Sequence, residues 1–315
     1  MKVLITGGAG FVGSHLTDRL IGRGDEVLVI DNYATGRRDN LPHSAPGLAV
    51  LEGDIAVSDV VDRAFDDFAP EVVVHAAASY KDPNDWVEDA RTNVLGSVNV
   101  TKAALAAGAR RLIYLQTALC YGLHPTEQPI TLDHPIRPGD SSYAISKTAG
   151  EQYIALSGIE YQSFRLANAY GPRNISGPLP TFFSRLTRGK PCFVMDTRRD
   201  FVYVSDLVDV LEKAVDGAGR SGAYHVSSGG DYSIQELFDS TVAAMRITLD
   251  KPVEVRPRGE DDAFTILLDP AETNRDFDWR TTVPLETGVA SAVAYYRTYG
   301  ITDTYTHLKL DALRA

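Results

Sequence analysis

The sequence predicts an α/β fold, a doubly wound parallel sheet with a smaller C-terminal lobe, on three observations. Short, almost continuously apolar runs alternate with amphipathic stretches through residues 1–166. Runs of that kind suit strands buried on both faces, which arise when helices cover both sides of a parallel sheet. The first run enters a glycine-rich turn directly, TGGAGFVGSHL, and beyond residue 167 the alternation gives way to AYGPRNISGPLP and irregular short elements.

In order, KVLIT (2–6) precedes helical FVGSHLTDRLIGRG, and EVLVI (26–30) follows it. LAVLE (48–52) precedes VSDVVDRAFDDF, and EVVVHA (71–76) precedes a long helix within 84–107. RLIYLQ (111–116) leads to the helix opened by SSYAISK, and YQSFRL (161–166) closes the unit. The expected organisation is a first domain over 1–166 and a second lobe mainly over 167–315, with segments within about 192–226 returning to the sheet.

Bulk properties narrow the function. The chain has 315 residues and a formal charge of −11, from 31 Lys and Arg against 42 Asp and Glu, which argues against nucleic acid as a partner. Cys120 and Cys192 lie far apart without metal-ligand spacing, so two free thiols, no bound metal and a reducing compartment are expected. MKVLITGG is too short an apolar run for a signal peptide, and no segment approaches the roughly 20 apolar residues of a membrane span. The expectation is a cytoplasmic protein with no membrane partner.

The glycine turn carries the first chemistry. Gly7, Gly10 and Gly13 sit between a strand and a helix, and Phe11 and Val12 open that helix. There a tight turn and close backbone approach let helix N–H groups receive a pyrophosphate. The second strand ends at Asp31, 18 residues after Gly13, followed by Asn32. A carboxylate at that place hydrogen-bonds a ribose 2′-hydroxyl and repels a 2′-phosphate, favouring NAD over NADP, although Arg37 and Arg38 leave the preference open. Asp54 in GDI (53–55) is a candidate adenine contact and equally an exposed loop acid.

The stretch SSYAISK places Tyr143 and Lys147 four residues apart, one turn apart on a helix face. A cation beside a phenol stabilises its phenolate, so the spacing suggests a tyrosine that loses its proton closer to neutrality than usual and serves as a base. Taken alone, the pair better suits a half-buried Tyr beside a solvated Lys.

With these features assembled, the chain resembles the extended short-chain dehydrogenase/reductase family, in its NAD-dependent nucleotide-sugar epimerase/dehydratase branch. The resemblance rests on TGGAGFVGSH, DN (31–32), GDI (53–55), HAAAS (75–79), Asn93-Val-Leu-Gly96, QTALCYG (116–122), YAISK (143–147), RLANAYGPR (165–173) and RDFVYVSD (199–206). It covers nearly the whole chain and implies a Rossmann fold binding NAD, with a C-terminal lobe for a nucleoside diphosphate sugar. It implies Tyr143 as base, Lys147 as its electrostatic partner at the nicotinamide ribose, and Thr117 as the hydroxyl that shares the reacting substrate O–H. Ile55, Ala76, Ala77 and Ala78 join the cofactor contacts. Asn168 and Arg199 match substrate-diphosphate positions, with Arg258 a further candidate for that anion. Each arginine also has a plainer reading as a surface ion pair, and Thr117 one as a strand-end cap. Lys81 is read either as approaching the cofactor or diphosphate or, equally, as a solvated lysine, His75 is read as structural, and Tyr121 and Tyr170 as packing residues. A homodimer joined by the helices around 84–107 and at Tyr143 is implied as well.

The branch divides by the two residues directly after the Ser/Thr. Its dehydratases carry Asp and Glu there to handle the C5 proton, and its decarboxylases keep the Glu. Here Ala118 and Leu119 come after Thr117, without a titratable group. The reading is therefore an NAD-dependent nucleotide-sugar epimerase, inverting C4 of a UDP-sugar through a 4-keto intermediate. The alternatives are a dehydratase or decarboxylase with its acid/base among Glu127, Asp133 or Asp140, an epimerase acting at C2 or a simple reductase, and a redox-inactive NAD-binding sensor.

Overall fold

A computed structural model describes residues 1–139, 141–259, 262–301 and 304–305. Asp140 lies outside the described residues, as do parts of 167–315.

The first six strands are β1 (Lys2–Thr6), β2 (Glu26–Asp31), β3 (Leu48–Glu52), β4 (Val72–His75), β5 (Arg111–Thr117) and β6 (Tyr161–Leu166). They alternate with α1 (Phe11–Gly22), α2 (Ser58–Phe68), the short α3 (Trp86–Asp89), α4 (Ser97–Ala106) and α5 (Ser142–Leu156). The chain continues through β7 (Asn168–Tyr170), α6 (Pro178–Thr187), β8 (Phe193–Met195), β9 (Arg198–Arg199), β10 (Phe201–Tyr203), α7 (Val204–Val215) and β11 (Gly222–Val226). It closes with β12 (Tyr232–Ser233), α8 (Ile234–Met245), β13 (Glu254–Arg256), α9 (Ala271–Asp276) and α10 (Leu285–Tyr299).

Seven strands form one parallel sheet in the order β3-β2-β1-β4-β5-β6-β11. Val3, Ile5, Val27, Val29 and Val72 face α1 and α7 on one side; Leu4, Leu28, Val73 and Leu112 face α2, α4 and α5 on the other. Side chains pointing alternately to two covered faces explain why these strands read as unbroken apolar runs. Each such buried aliphatic contributes about 1.5–3 kcal/mol. β3 is the exception: it is the outer strand, and Ala49 and Val50 are exposed.

Two features go beyond the expected pattern. The helix expected within 84–107 is three pieces: α3, then seven residues wound as a π-helix (Ala90–Gly96), then α4. Segments of that winding concentrate at functional sites because they re-aim one turn's side chains. Beyond residue 167, α6, α8 and α10 enclose a separate apolar cluster that includes Phe182, Leu237 and Val289.

Helix α5 lies against β5 and the π-helix at one glycine. A Cβ at Gly150 would stand 2.7 Å from both the Asn93 carbonyl and the Tyr114 hydroxyl, and 2.9 Å from the Ser97 hydroxyl. Gly150→Ala is therefore expected to cost about 1–3 kcal/mol through overpacking, read from the midpoint of chemical denaturation.

Candidate active site

Strand order reverses between β1 and β4, and a crevice opens outside the carboxyl ends of the strands at such a reversal. The chain delivers its candidate residues to that edge. Gly7, Gly10, Phe11, Val12 and Gly13 follow β1, while Asp31 ends β2 with Asn32 beyond it. Ala76, Ala77 and Ala78 follow β4, Thr117 ends β5, and Asn168 begins β7 after β6.

The glycine corner is tight for steric reasons. Gly7 has φ +70, and a Cβ there would stand 2.7 Å from the Ala77 backbone; one at Gly13 would stand 2.3 Å from the Gly7 carbonyl. Asp31 closes the corner, accepting from the Ala9 N–H at 2.9 Å and the Tyr33 N–H at 2.8 Å. Burial raises its carboxyl pKa while these two bonds oppose the rise. Each oxygen retains a lone pair for a ribose hydroxyl. Arg37 pairs with Asp39 at 2.6 Å; Arg38 pairs with Glu52 at 2.5 Å and lies over the Tyr33 ring. Both arginines that left NADP open thus already have acidic partners.

Asp54 and Ile55 sit at the next turn. Asp54 accepts the Ala56 N–H at 2.8 Å and pairs with Arg91 at 2.5 Å, whereas Ile55 is buried against Gly96. Lys81 is exposed and lines a cavity of about 280 Å³ with Tyr33, Thr35, Arg37, Ile175 and Tyr305.

Thr117 ends β5 and its Oγ1 accepts the Leu119 N–H at 3.2 Å, the capping role given above as its plainer reading. Tyr143 is half-buried in the first turn of α5, its ring 5.8 Å from that of Tyr80. Lys147 is 1% exposed, its Nζ 3.9 Å from the centre of the Tyr114 ring, and among the described residues Nζ has no protein acceptor. An ammonium so placed is suited to an incoming hydroxyl acceptor such as a ribose.

The acidity expected of Tyr143 needs correction. Burial raises its pKa, reinforced by Tyr80 and Asp89, and the same desolvation brings the Lys147 ammonium down to about 7 against the pull of Glu151. The cost of removing charge from water exceeds the benefit expected from the four-residue spacing. The protein's own groups leave Tyr143 protonated.

His75 is structural, as read. Ser97 donates to the Asn93 carbonyl at 2.6 Å, so its oxygen accepts from His75 Nε2 at 2.9 Å, and Thr6 donates to Nδ1 at 2.6 Å. Burial lowers this imidazole to about 3, so it stays neutral. Tyr121 and Tyr170 are buried, Tyr121 bonded to His225 at 2.6 Å.

In the second lobe Asn168 Nδ2 donates to the Asp200 carbonyl at 3.2 Å. Arg199 and Arg258 meet at one place: Arg199 pairs with Asp262, and Arg258 donates to the Asp262 carbonyl at 3.3 Å. The ion pair of Arg199 is the plainer reading given above, and the neighbouring guanidinium is the arrangement a phosphate also uses. Glu127 and Asp133 are exposed on the loop beyond Tyr121.

Sequence reasoning passed over several residues. Tyr80 lies against Tyr143. Asn93, on the π-helix, accepts from Ser79 N at 2.8 Å and donates to Ser146 Oγ at 3.0 Å, joining the β4 loop to α5. Gln116 is buried and bonded to α5. Asn93 and Gln116 stood within motifs quoted above, whereas Tyr80 did not.

The doubly wound sheet with its glycine corner and carboxylate at the strand-order reversal is that of a dinucleotide-dependent enzyme. The chain belongs to the NAD dependent epimerase/dehydratase family, whose model matches residues 3–227. The UDP-glucose 4-epimerase of Mycolicibacterium smegmatis is 33% identical, over 94% of this chain and 99% of that protein. UDP-glucuronic acid decarboxylase 1 of Arabidopsis thaliana is 32% identical, over 94% of this chain and 70% of that one. The crystal structure of the Bordetella bronchiseptica enzyme WbmH in complex with NAD+ superposes with a TM-score of 0.92 at 52% identity, covering 95% of this chain and 99% of that chain.

NAD is the cofactor of this family, and the glycine cradle, the tethered Asp31 and the unpartnered Lys147 ammonium fit it. Asp31→Asn removes the carboxylate charge at the end of β2. It is expected to weaken NAD binding about 10-fold or more and to narrow the preference over NADP, measured by calorimetric titration of both.

Proposed function

We propose that the protein is an NAD-dependent nucleotide-sugar epimerase that inverts C4 of a UDP-sugar through a transient 4-keto sugar. The observation that carries this reading is the absence of an acid or base immediately after Thr117: Ala118 is buried, and neither it nor Leu119 can move a C5 proton. The UDP moiety is shared by the names of the epimerase and decarboxylase relatives, which supports the choice of nucleotide. Glu127 and Asp133, both exposed, lend little support to a dehydratase or decarboxylase.

In this reading Gly7, Gly10, Phe11, Val12, Gly13, Asp31, Asn32, Asp54, Ile55 and Ala76–Ala78 hold the cofactor, and Asn168, Arg199 and Arg258 hold the diphosphate. Residues 167–315 contribute mainly to the substrate lobe. When bound, oxidised NAD supplies a hydride acceptor and a positive charge that offsets the desolvation of Tyr143. Tyr143 Oη takes the C4 hydroxyl proton, Thr117 Oγ1 turns from its cap to share that hydroxyl, and Lys147 Nζ stabilises the phenolate. The small side chains of Ala77, Ala78, Ser79 and Ala118 leave room for the keto sugar to present its other face before Tyr143 returns the proton.

The functional form is proposed to be a cytoplasmic homodimer. Trp86, Val87, Leu95 and Leu105 are exposed along α3, the π-helix and α4, and Ile145, Tyr153 and Leu156 along the adjoining α5. A shared apolar face of two helices is suited to the same face of a second copy.

Purified protein incubated with a panel of nucleotide sugars, without added cofactor, is expected to give an equal-mass C4 epimer by NMR. Loss of water or carbon dioxide instead would move the assignment to the dehydratase or decarboxylase. Tyr143→Phe is expected to reduce turnover at least about 10³-fold with NAD still bound. Leu156→Asp is expected to shift the protein from dimer to monomer in light scattering; an unchanged mass would remove the α4–α5 face from consideration.

A further inference from the structure

Beneath the Tyr143–Lys147 pair lies a buried charged cluster that the reaction outlined above leaves unused. Glu151 is one turn beyond Lys147 on α5 and 6% exposed. Its Oε1 pairs with Arg165 of β6, at 3.1 Å from Nη2 and 3.3 Å from Nε. Its Oε2 accepts from Gln116 Nε2 at 3.1 Å. The same Gln116 nitrogen lies 3.1 Å from the Lys147 carbonyl, which also accepts from Tyr114 Oη at 3.0 Å, and Gln116 Oε1 accepts the Thr117 N–H at 2.8 Å. One carboxylate thus connects the helix turn carrying Lys147 to the strand end carrying Thr117.

The far side is equally ordered. Arg165 Nη1 donates to Tyr121 Oη at 2.6 Å, so that hydroxyl donates to His225 Nε2 at 2.6 Å. His225 Nδ1 then donates to the Asp269 carbonyl at 3.0 Å. Burial lowers His225 to about 4, so this imidazole is neutral and the direction of the chain is set. Arg165 cannot shed its proton, whereas a buried lysine can. Without the Glu151 charge, two cations share one dry region, and the lysine is the one that yields.

We propose that Glu151 is a positioning residue for the reaction. Anchored by Gln116 and Arg165, it keeps Lys147 cationic within the buried face of α5 and in register with Thr117. This rests on the reading of Lys147 as the cation beside Tyr143. The groups set against Lys147 are Tyr114 from β5, neutral His75 from β4 and Glu151 on its own helix, with Arg165 behind the carboxylate. Of these, Glu151 is the one negative charge acting on the ammonium.

The test is a titration of the Lys147 ammonium by NMR in selectively ¹⁵N-lysine-labelled protein, its signal identified by its loss in Lys147→Met, together with kcat against pH. In Glu151→Gln the Lys147 titration is expected to move about one pH unit towards acid, and the alkaline fall of kcat to move with it, cutting the rate near pH 8 about 10-fold. NAD content is expected to stay at the parent level. Glu151→Asp retains the charge on a shorter arm and is expected to move both in the same direction by a smaller amount, so it carries the test if Glu151→Gln does not fold. A Lys147 titration that stays in place in whichever variant folds, even with lowered thermal stability, overturns the proposal. A parent enzyme that converts no nucleotide sugar would overturn the reaction assigned above while leaving the Lys147 titration to decide this coupling by itself.

Discussion

The architecture turns on one costly placement, the burial of a lysine ammonium in the middle of a helix packed against the sheet. Lys147 is 1% exposed, and removing its charge from water shifts its protonation by several pH units. The surroundings are organised to make that tolerable. The Tyr114 ring supplies a π-face, Gln116 and Tyr114 hold the lysine backbone, and Glu151 supplies an opposing charge. Gly150 lets the helix come close enough for these contacts to form at once. Each contact has modest worth alone; together they hold Lys147 one turn from Tyr143 on α5.

Neutral hydrogen bonds extend that order across the sheet. Thr6, His75, Ser97 and Asn93 form a directed chain from β1 through β4 to the π-helix, and Asn93 then reaches both Ser79 and Ser146. Because His75 stays neutral, the chain has one arrangement at working pH. It connects the glycine corner, where Gly7 packs on Ala77, with the first turns of α5. The end of β1, the β4 loop and the first turns of α5 are thereby joined through one hydrogen-bonded network. The second lobe is organised differently, around the α6–α8–α10 cluster and ion pairs such as Arg199 with Asp262.

Much of the first half was legible in the chain because its signals are local. Strands covered on both faces leave unbroken apolar runs, a phosphate cradle requires glycines at fixed offsets, and helix spacing places Tyr143 and Lys147 together. The direction of Tyr143's acidity was not legible, since it depends on how deeply the pair is buried, and depth is decided by distant segments. Glu151 and Arg165 stand 14 residues apart on a helix and a strand, and no local spacing pairs them. Gln116 holds β5 to α5. No periodicity announces such roles, because each partner is supplied by a different element.

By itself, then, the sequence determined the doubly wound sheet, the glycine turn with Asp31 at the end of β2, the four-residue spacing of Tyr143 and Lys147 on one helix, and the absence of an acid or base at 118–119. These arise from side-chain chemistry and short-range spacing. Only the tertiary structure decided which charges are dry, which arginines are already occupied, and that a π-helical turn brings Asn93 between the β4 loop and α5. Electrostatic strength depends on burial, and burial is a property of the packed whole.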